Sequence, residues 1–430
     1  MSESKGHAIV LGGSIAGLLA ARVLTDHFDR VTIVERDKLA NELTPRKNAP
    51  QGAHAHALLS RGRNIVEALF PGISDELVNG GATLAGIEDV RVYVLGWRKR
   101  FEDSDRVFAM TRPFFESTLA RRARALNKVT VLEETEVAAI TGSPDRATGV
   151  TIRDASGARG LAADFIVDAR GRASNLADWM KQMGLEGPPH VTSPLASCYS
   201  SCLYEPEPGA PRPRLHQVAK FEDKLGVLIF PVEKNRVLVS LGANAIMPMP
   251  RTQEEFLAYL HALPVPDAYD AVKPLRAITP IAHSRFSASV RRDYHMLKRL
   301  PEGIVAIGDA VASFNPVFGQ GMTVAALEAE WLAECLTKSD PHTAGFAKTY
   351  YAGVKPIVDL AWGLPDLEAR RNNPKAQNWL IRFLLWYTQR MQKTATRSVY
   401  VSRTLLRVQN MVEPPAKLFG PPVFWRVLFR

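Results

Sequence analysis

Three glycine-containing segments carry the residue types that bind a nucleotide cofactor. The first, Gly12-Gly13-Ser14-Ile15-Ala16-Gly17, follows a strand-like apolar run and opens a stretch with helix-forming composition. Gly12 permits a tight turn, Gly17 allows close helix–sheet packing, and the free N–H groups of the first helical turn bind a pyrophosphate. Glu35 ends a second strand-like run, where a carboxylate accepts hydrogen bonds from a ribose 2′-OH. The segment therefore predicts a site for FAD or NAD, because a 2′-phosphate would face a carboxylate.

The first segment departs from the usual pattern at its middle glycine, which is Ser14 here. Its Cβ crowds a pyrophosphate, although its hydroxyl can donate to one. Two other interpretations are a strand–helix turn with no ligand and a secretory signal with Ala8–Ala21 as its apolar core. Only Lys5 precedes that core, Glu3 cancels its charge, and a strand follows in register, which disfavours the signal.

The other two segments each combine an acid at a strand end with glycines in the following turn. They are Asp168-Ala-Arg-Gly171, and Gly308-Asp309 followed by Pro316 and by Gly319-Gln320-Gly321-Met322 before a long helix. Such turns are places where backbone approaches a cofactor. Gly319 and Gly321 leave backbone N–H groups at a helix start, which suit an electron-rich acceptor.

Histidine and cysteine spacing does not predict a metal site. His54 and His56 lie two residues apart and do not share a helical face. With Arg46 they can contact an anionic or carbonyl-rich ligand, or they are solvated loop charges. The three cysteines predict reduced thiols, and Cys198-x-x-x-Cys202 reads as small residues on a strand.

The elements that must position these residues alternate between strands and helices up to about residue 185. Thr111 is a predicted helix N-cap with Pro113 near the first turn. Residues 190–290 are β-rich, with a hairpin turn at Glu233-Lys-Asn, a capped helix over Thr252–Leu263 and a strand over Arg276–Ser287. We read this region as a separate sheet domain.

Charge is concentrated at the C-terminal end of the 430-residue chain. Residues 371–430 contain eleven basic residues and one acid, so they account for the whole net charge of +10. No stretch is long and apolar enough for a spanning helix, and no nucleic-acid recognition module is present. The segment predicts helices that pack on the nucleotide domain and close a cavity, or a basic amphipathic surface for anionic lipid or an acidic carrier.

Together, the three segments resemble FAD-dependent monooxygenases of the para-hydroxybenzoate hydroxylase fold, over about residues 7–345. The Pro50-Gln-Gly-Ala-His-Ala-His run, Leu69-Phe-Pro-Gly and Arg291-Arg-Asp-Tyr294 resemble a narrower branch, the epoxidases that act on polyene precursors of polyether antibiotics. Ala53 stands where relatives often have arginine. The resemblance implies an α/β fold in which a Rossmann-like FAD-binding domain (1–75, 105–185 and 290–345) is interleaved with a β-sheet substrate domain (76–104 and 186–289). A basic helical segment (346–430) follows.

The resemblance also implies roles for the matching residues. Ser14 and its neighbours hold the FAD pyrophosphate, Glu35 and Arg36 lie at the adenosine ribose, and Arg112 reaches the pyrophosphate or ribityl region. Val137 contacts adenine, Asp309 binds the ribityl hydroxyls, and Gly319–Met322 face the flavin pyrimidine carbonyl. The remaining residues expected near the cofactor are Gly12, Gly13, Gly17, Arg46, His54, Asp168, Gly308 and Pro316. No catalytic base is assigned, and His283, Tyr294 and His295 fit core or surface packing better.

The implied reaction uses a flavin C4a-hydroperoxide to insert one oxygen atom of O2 into an apolar substrate, with epoxidation of an alkene favoured over aromatic hydroxylation. NADPH or NADH supplies electrons, directly or through a flavin reductase, and the substrate is free or carrier-bound. The expected location is cytoplasmic, with peripheral membrane contact through residues 375–430 as a further interpretation. Rival interpretations are a prenyl-chain reductase, a membrane-surface nucleotide-binding protein, and a flavin-dependent halogenase, which the absence of a Trp-x-Trp-x-Ile-Pro run disfavours.

Overall fold

The structure is a computed structural model that describes residues 6–39, 44–86, 89–94, 96–99, 106–194, 196–220, 225–244, 247–371 and 373–429. In chain order its strands are β1 (His7–Leu11), β2 (Arg30–Val34), β3 (Thr83–Ala85), β4 (Val90–Val94), β5 (Trp97–Arg98), β6 (Val107–Ala109), β7 (Val129–Leu132), β8 (Glu136–Gly142), β9 (Ala147–Asp154), β10 (Gly157–Ala162), β11 (Phe165–Asp168), β12 (His190–Ser193), β13 (Ser197–Glu205), β14 (Leu215–Lys220), β15 (Leu225–Val232), β16 (Arg236–Asn244), β17 (Arg276–Ala277), β18 (Ala282–Phe286), β19 (Ser289–Arg292), β20 (Ile304–Ala306) and β21 (Ala312–Ser313). Its helices are α1 (Ile15–Leu24), α2 (Ser60–Leu69), α3 (Ile73–Asn79), α4 (Arg112–Arg124), α5 (Leu176–Gln182), α6 (Gln253–His261), α7 (Asp267–Val272), α8 (Gly321–Lys338), α9 (Phe346–Arg371), α10 (Trp379–Ala395), α11 (Val399–Gln409) and α12 (Pro421–Phe429).

A parallel five-stranded sheet brings the three predicted segments to one edge. Its strand order is β20-β11-β1-β2-β7, and β1 is buried along its whole length. In the strand register Leu11 pairs with both Val34 and Asp168, and Asp168 pairs with Ala306. Because carboxyl ends of parallel strands meet at the same edge, the turns that follow all four strands face one crevice.

A second sheet of eight strands forms the other wall of the crevice. Its order is β17-β13-β16-β15-β14-β4-β5, with β18 also paired to β13. The predicted hairpin turn is present, and Lys234 and Asn235 both have positive φ there. The capped helix is confirmed as α6, with a capping box between Thr252 and Glu255.

Two predicted β segments differ from the structure. The single strand expected over Arg276–Ser287 is two short strands, β17 and β18, with Pro280 between them. Proline has no N–H to donate to a sheet, which accounts for the break. The sequence from Trp97 to Phe101 also predicts a strand; the structure describes only β5 there, and residues 100 and 101 lie outside the described part of the chain.

The C-terminal segment is helical throughout its described regular elements. The start of α9 joins the main core through Tyr350, Tyr351 and Val354, whereas α10, α11 and α12 share a small core of their own. The apolar end of the chain forms α12, which begins at Pro421. Asn410 connects this three-helix unit to the start of α2, where its side-chain oxygen accepts from the backbone and hydroxyl of Ser60. Among the described residues, none of the helices combines the length and apolarity needed to span a membrane.

Candidate cofactor and substrate site

The turn between β1 and α1 has the geometry of a phosphate-binding helix start. Gly12 has φ of 102°, and Ser14 is the N-cap of α1 but gives the helix no side-chain cap. Ile15 and Ala16, in the first helical turn, line the large cavity beside the sheet edge. A Cβ on Gly17 would lie 1.9 Å from the Gly12 carbonyl oxygen. Gly17 therefore lets the helix start pack against its own turn.

Glu35 is held from several directions beside this turn. Its carboxylate accepts from the Gly13 N–H at 2.6 Å and from the Asp37 N–H at 2.9 Å. Arg46 lies 3.1 Å from the same carboxylate, and its other terminal nitrogen donates to Glu116 at 2.6 Å. Buried charges of this kind require partners, and the pairing explains why Arg46 is buried as a cation. Glu35 also lines the cavity. The buried ion pair with Arg46 therefore fixes the orientation of the carboxylate that is predicted to bind the ribose.

Arg112, the first residue of α4, connects the first segment to the loop that carries His54 and His56. Its guanidinium donates to the Ser14 hydroxyl and to Nε2 of His56, each at 3.2 Å, and its Nε lies 3.6 Å from Glu116. Burial, followed by the charge of Arg112, lowers the pKa of His56 to about 3. His56 is thus neutral and accepts from Arg112, while its Nδ1 bonds the His54 carbonyl at 2.9 Å.

His54 points away from the first sheet toward the second. Its Nδ1 lies 2.7 Å from the Ser201 hydroxyl, which bonds Ser240 in turn. Burial, with a smaller contribution from His283, lowers the pKa of His54 to about 4. A neutral histidine therefore ties the loop to the β13–β16 pair at the cavity wall.

Asp168, the last residue of β11, lies behind the wall of the cavity. It is fully buried and forms a two-point contact with Arg170, at 2.9 and 2.7 Å, and accepts from Ser174 at 2.8 Å. Asp168 does not line the cavity, whereas Arg170 and Gly171 do. The acid positions the turn that faces the crevice, and its predicted contact with the cofactor stays a prediction. Gly13 and Gly17 likewise lie behind the lining surface.

The third segment joins an exposed acid to a buried one. The side chain of Asp309 is exposed to the open space of the cavity, but the protein that surrounds this space partly desolvates the carboxyl and so raises its pKa. Behind it, Glu328 of α8 is fully buried and accepts from the Gly308 N–H, and its other oxygen has no partner among the described residues. Burial raises the pKa of Glu328 to about 8. Glu328 was not predicted, because one acid in an amphipathic helix reads as a surface residue.

The loop before α8 is fixed from the second sheet. Asn315 accepts from the Val317 N–H, from the Ser197 hydroxyl and from the Tyr199 hydroxyl, each at 3.1 Å. Gly319 follows with φ of 65°, and a Cβ added to Gly321 would meet no protein atom within 4 Å. The bare helix start therefore faces open space. Asn315 and Tyr199 were also missed, since their partners are distant in sequence.

One cavity of about 1730 Å³ unites these residues. Of the twenty residues predicted from sequence, seventeen line it: Gly12, Ser14, Ile15, Ala16, Glu35, Arg36, Arg46, His54, Arg112, Val137, Gly308, Asp309, Pro316, Gly319, Gln320, Gly321 and Met322. Ligand pockets commonly measure about 300–1,000 Å³, so this space accommodates more than one ligand. The candidate bases His283, Tyr294 and His295 are not among its lining residues.

The far part of the cavity is bounded by apolar side chains from two units. The second sheet contributes Val92, Leu228 and Phe230, and the C-terminal helices contribute Leu384 and Leu405. Asp359 and Glu368 also line this part, and they are paired with Arg291 at 2.7 Å and Arg371 at 2.9 Å. The arrangement joins the sheet edge that carries the three predicted segments to a part of the cavity lined by apolar side chains.

Comparison with protein families shows which family the chain belongs to. The model described as an FAD binding domain matches residues 5–345, which include all three segments. The chain belongs to the FAD binding domain family. Membership confirms the predicted FAD-binding enzyme of the monooxygenase class and its para-hydroxybenzoate hydroxylase type of fold. The C-terminal unit lies beyond the matched region.

Individual proteins are similar to this chain in sequence or in fold. "Protein Rv3254" of Mycobacterium tuberculosis (strain ATCC 25618 / H37Rv) is 34% identical over 356 residues, which cover 78% of this chain and 74% of the relative. Among solved structures, the flavin-dependent brominase Bmp2 is similar with a TM-score of 0.70 and 14% identity, covering 98% of this chain and 97% of that one. The p-nitrophenol 4-monooxygenase PnpA of Pseudomonas putida DLL-E4 has a TM-score of 0.66 and 16% identity, covering 94% and 98%. At these identities the two structures show a shared fold.

The residues present fit FAD. The helix start at Ile15, the cradle that depends on Gly17, and the open space beside Gly321 suit a long, anionic, planar cofactor. Glu35 suits an unmodified ribose, as the sequence predicted. The side-chain oxygen of Gln320 is buried at the cavity wall without a partner among the described residues, which a bound donor would satisfy.

Proposed function

We propose that this flavoprotein inserts one oxygen atom of O2 into an apolar, unsaturated substrate held in the far part of the cavity, with epoxidation of an alkene as the favoured reaction. The observation that carries the proposal is one cavity. It extends from the sheet edge with the three glycine-containing segments to apolar side chains of the second sheet and the C-terminal helices. The bound flavin would supply the electrons and the activated oxygen.

The residues of the chain have binding and shielding roles in this proposal. Ser14, Ile15 and Ala16 would hold the pyrophosphate, Glu35 and Arg36 the adenosine ribose, and Val137 the adenine. Arg112, already donating to Ser14, would add positive charge beside the pyrophosphate. Asp309 would bind the ribityl hydroxyls. The N–H groups at Gly319–Met322 would stabilise negative charge on the reduced ring.

Exclusion of water is the second task of the protein. Water at the reaction centre would release peroxide without product, and an apolar enclosure limits it. The walls formed by Leu228, Phe230, Leu384 and Leu405 meet this need. The acids of the compartment, Asp359 and Glu368, are each engaged by an arginine, and the pKa values of His54 and His56 lie far below neutrality. This environment suits a substrate that reacts without losing a proton to the protein. An alkene is such a substrate.

Hydroxylation of an aromatic ring is the second candidate. Its support is the similarity in fold to a protein described as a p-nitrophenol 4-monooxygenase. Similarity to a brominase keeps halogenation as a comparison in the assay. A prenyl-chain reductase would produce no oxygenated product. NADH or NADPH is the proposed electron source, directly or through a separate flavin reductase.

The decisive test follows the oxygen atom. Purified, FAD-loaded protein receives NADH or NADPH, a general flavin reductase, and ¹⁸O2, with panels of apolar alkenes and of phenols. We expect one ¹⁸O atom in an epoxide. A phenol product carrying ¹⁸O would replace the first candidate by the second. Loss of a substrate double bond with no ¹⁸O would refute oxygenation in favour of a reductase. A parallel reaction contains added bromide, and a brominated product there would refute oxygenation in favour of halogenation.

A further inference from the structure

The C-terminal three-helix unit, residues 373–429, displays most of the exposed apolar side chains of the described chain. Eight of the thirteen large apolar side chains that are exposed lie between Trp379 and Phe429. Seven of them are aromatic, and we call six of these seven the aromatic ridge: Trp379, Phe383, Trp386, Phe419, Trp425 and Phe429. Trp379 is 80% exposed and Phe429 is 72% exposed, although both belong to helices with a buried face. Exposure on this scale indicates a surface that is covered by something else.

The ridge is continuous across two helices and the intervening turn. Phe383 contacts Trp386 and also Tyr387, whose buried ring stacks on Phe419 at 5.2 Å. Trp425 stacks on Phe429 at 5.2 Å on α12. Arg390 joins the two halves, because its guanidinium lies over Trp386 and donates to the carbonyls of residues 427 and 428.

Basic residues are interleaved with the ridge. On α10, positions 379, 382, 383, 386, 390 and 393 recur at spacings of three or four residues, so Arg382, Arg390 and Lys393 share the face of the aromatic rings. Arg426 lies over Tyr400, and Lys417 is exposed beside Phe419. The one acid of the unit, Glu413, is paired with Arg407 at 2.9 Å. The face that carries the ridge is therefore strongly positive.

The same unit forms a wall of the cavity. Leu384, Met391 and Leu405 line it from inside, and Phe419 both lines it and is exposed at the ridge. The apolar part of the cavity therefore lies against the inner side of the ridge at Phe419.

We infer that the aromatic ridge docks on the surface of an anionic lipid bilayer and places the Phe419 side of the cavity against it. Tryptophan and phenylalanine with arginine on one amphipathic helix face are typical of segments that lie in the membrane interface. The positive charge complements anionic headgroups. The position of Phe419 in both the ridge and the cavity lining favours a bilayer over an acidic protein, since an apolar molecule dissolved in lipid would reach the cavity beside it. That last step rests on the proposed function, whereas the docking does not.

The test is co-sedimentation of the FAD-loaded full chain with two kinds of vesicle, phosphatidylcholine alone and phosphatidylcholine with phosphatidylglycerol. We expect binding to the anionic vesicles that weakens as salt rises. Trp379→Ser with Trp425→Ser should lower the partition coefficient about fivefold to tenfold per ring. Arg382→Gln with Lys417→Gln should lower it about 25-fold, since each charge near the surface is worth about fivefold.

Matched controls distinguish binding through the ridge from nonspecific adsorption to the vesicles. Met296→Ser removes another highly exposed apolar side chain, 61% exposed, and Lys181→Gln removes a distant exposed charge; both should bind like the wild type. Retained FAD absorbance and an unchanged melting curve show that each variant is folded. Failure of the wild type to bind anionic vesicles, or equal binding by ridge and control variants, would overturn the inference. Because sedimentation needs no turnover, that failure is distinguishable from failure of the oxygenase assay.

Discussion

Replacement of Gly17 by alanine tests whether the first helix start holds FAD. The added Cβ would lie 1.9 Å from the Gly12 carbonyl oxygen, whereas ordinary contact begins at 3.4 Å. The difference of 3.4 − 1.9 = 1.5 Å must be absorbed by moving α1 away from its turn. A shift of this size breaks a hydrogen bond from the helix start to a ligand, because the ordinary donor–acceptor distance is about 2.9 Å.

Two consequences of different size follow from this displacement. Overpacking should lower the free energy of unfolding by about 1–3 kcal/mol. If two charge-assisted bonds to the pyrophosphate are lost, at about 1.5–3 kcal/mol each, FAD affinity should fall by about a hundredfold to ten-thousandfold. The ligand effect therefore exceeds the effect on the fold.

The assay is a titration of deflavinated protein with FAD, in which the quenching of flavin fluorescence reports binding. Thermal unfolding is measured on the same samples. Gly160→Ala is the matched control, because a Cβ there meets no atom within 4 Å and its backbone is not left-handed. Gly321→Val should keep the melting temperature yet weaken FAD binding, since its side chain enters open space at the cavity. An FAD affinity of Gly17→Ala within about threefold of that of Gly160→Ala would refute the assignment of this turn.

Three further predictions concern residues around the site. Glu328 has a pKa near 8 in the folded protein and an ordinary value when unfolded, so the folded state holds the extra proton and loses stability as pH rises from about 4.5 to 8. Glu328→Gln should remove most of this loss, at most about 3 kcal/mol between pH 6 and 8, in urea unfolding at several pH values. Arg112→Met should weaken FAD binding about tenfold or more, because it removes the positive charge that donates to Ser14. Asn410→Leu leaves Ser60 without its acceptor and should speed hydrogen exchange across residues 373–429, at a cost of about 1–3 kcal/mol.

Each of these predictions has a result that would contradict it. A Glu328→Gln variant with the pH dependence of the wild type would show that this carboxyl is not the titrating group. Wild-type FAD affinity in Arg112→Met would place the pyrophosphate elsewhere. Equal exchange rates in Asn410→Leu and in the surface control Asn64→Ala would mean that the contact with α2 does not hold the C-terminal unit.

Local sequence patterns determined the cofactor edge of this protein. A glycine that must turn tightly, an acid at a strand end and a bare helix start depend on neighbours a few residues away, so the sequence alone was enough to place Gly12, Glu35 and Gly319. The helix bounds of α1 and the capping box of α6 were predictable for the same reason. The substrate identity and the domain boundaries stay predictions.

Only the tertiary structure decided how buried charges and distant segments combine. Asp168 has the pattern of a cofactor ligand, yet Arg170 and Ser174 take up its oxygens behind the wall. Glu328 has the sequence context of a surface acid, yet its carboxylate is buried and accepts from the Gly308 N–H. The C-terminal helices became part of the cavity through contacts that span hundreds of residues, such as Ser60 to Asn410. Such pairings depend on packing between whole elements, and helical periodicity in a single segment does not specify which partner its faces meet.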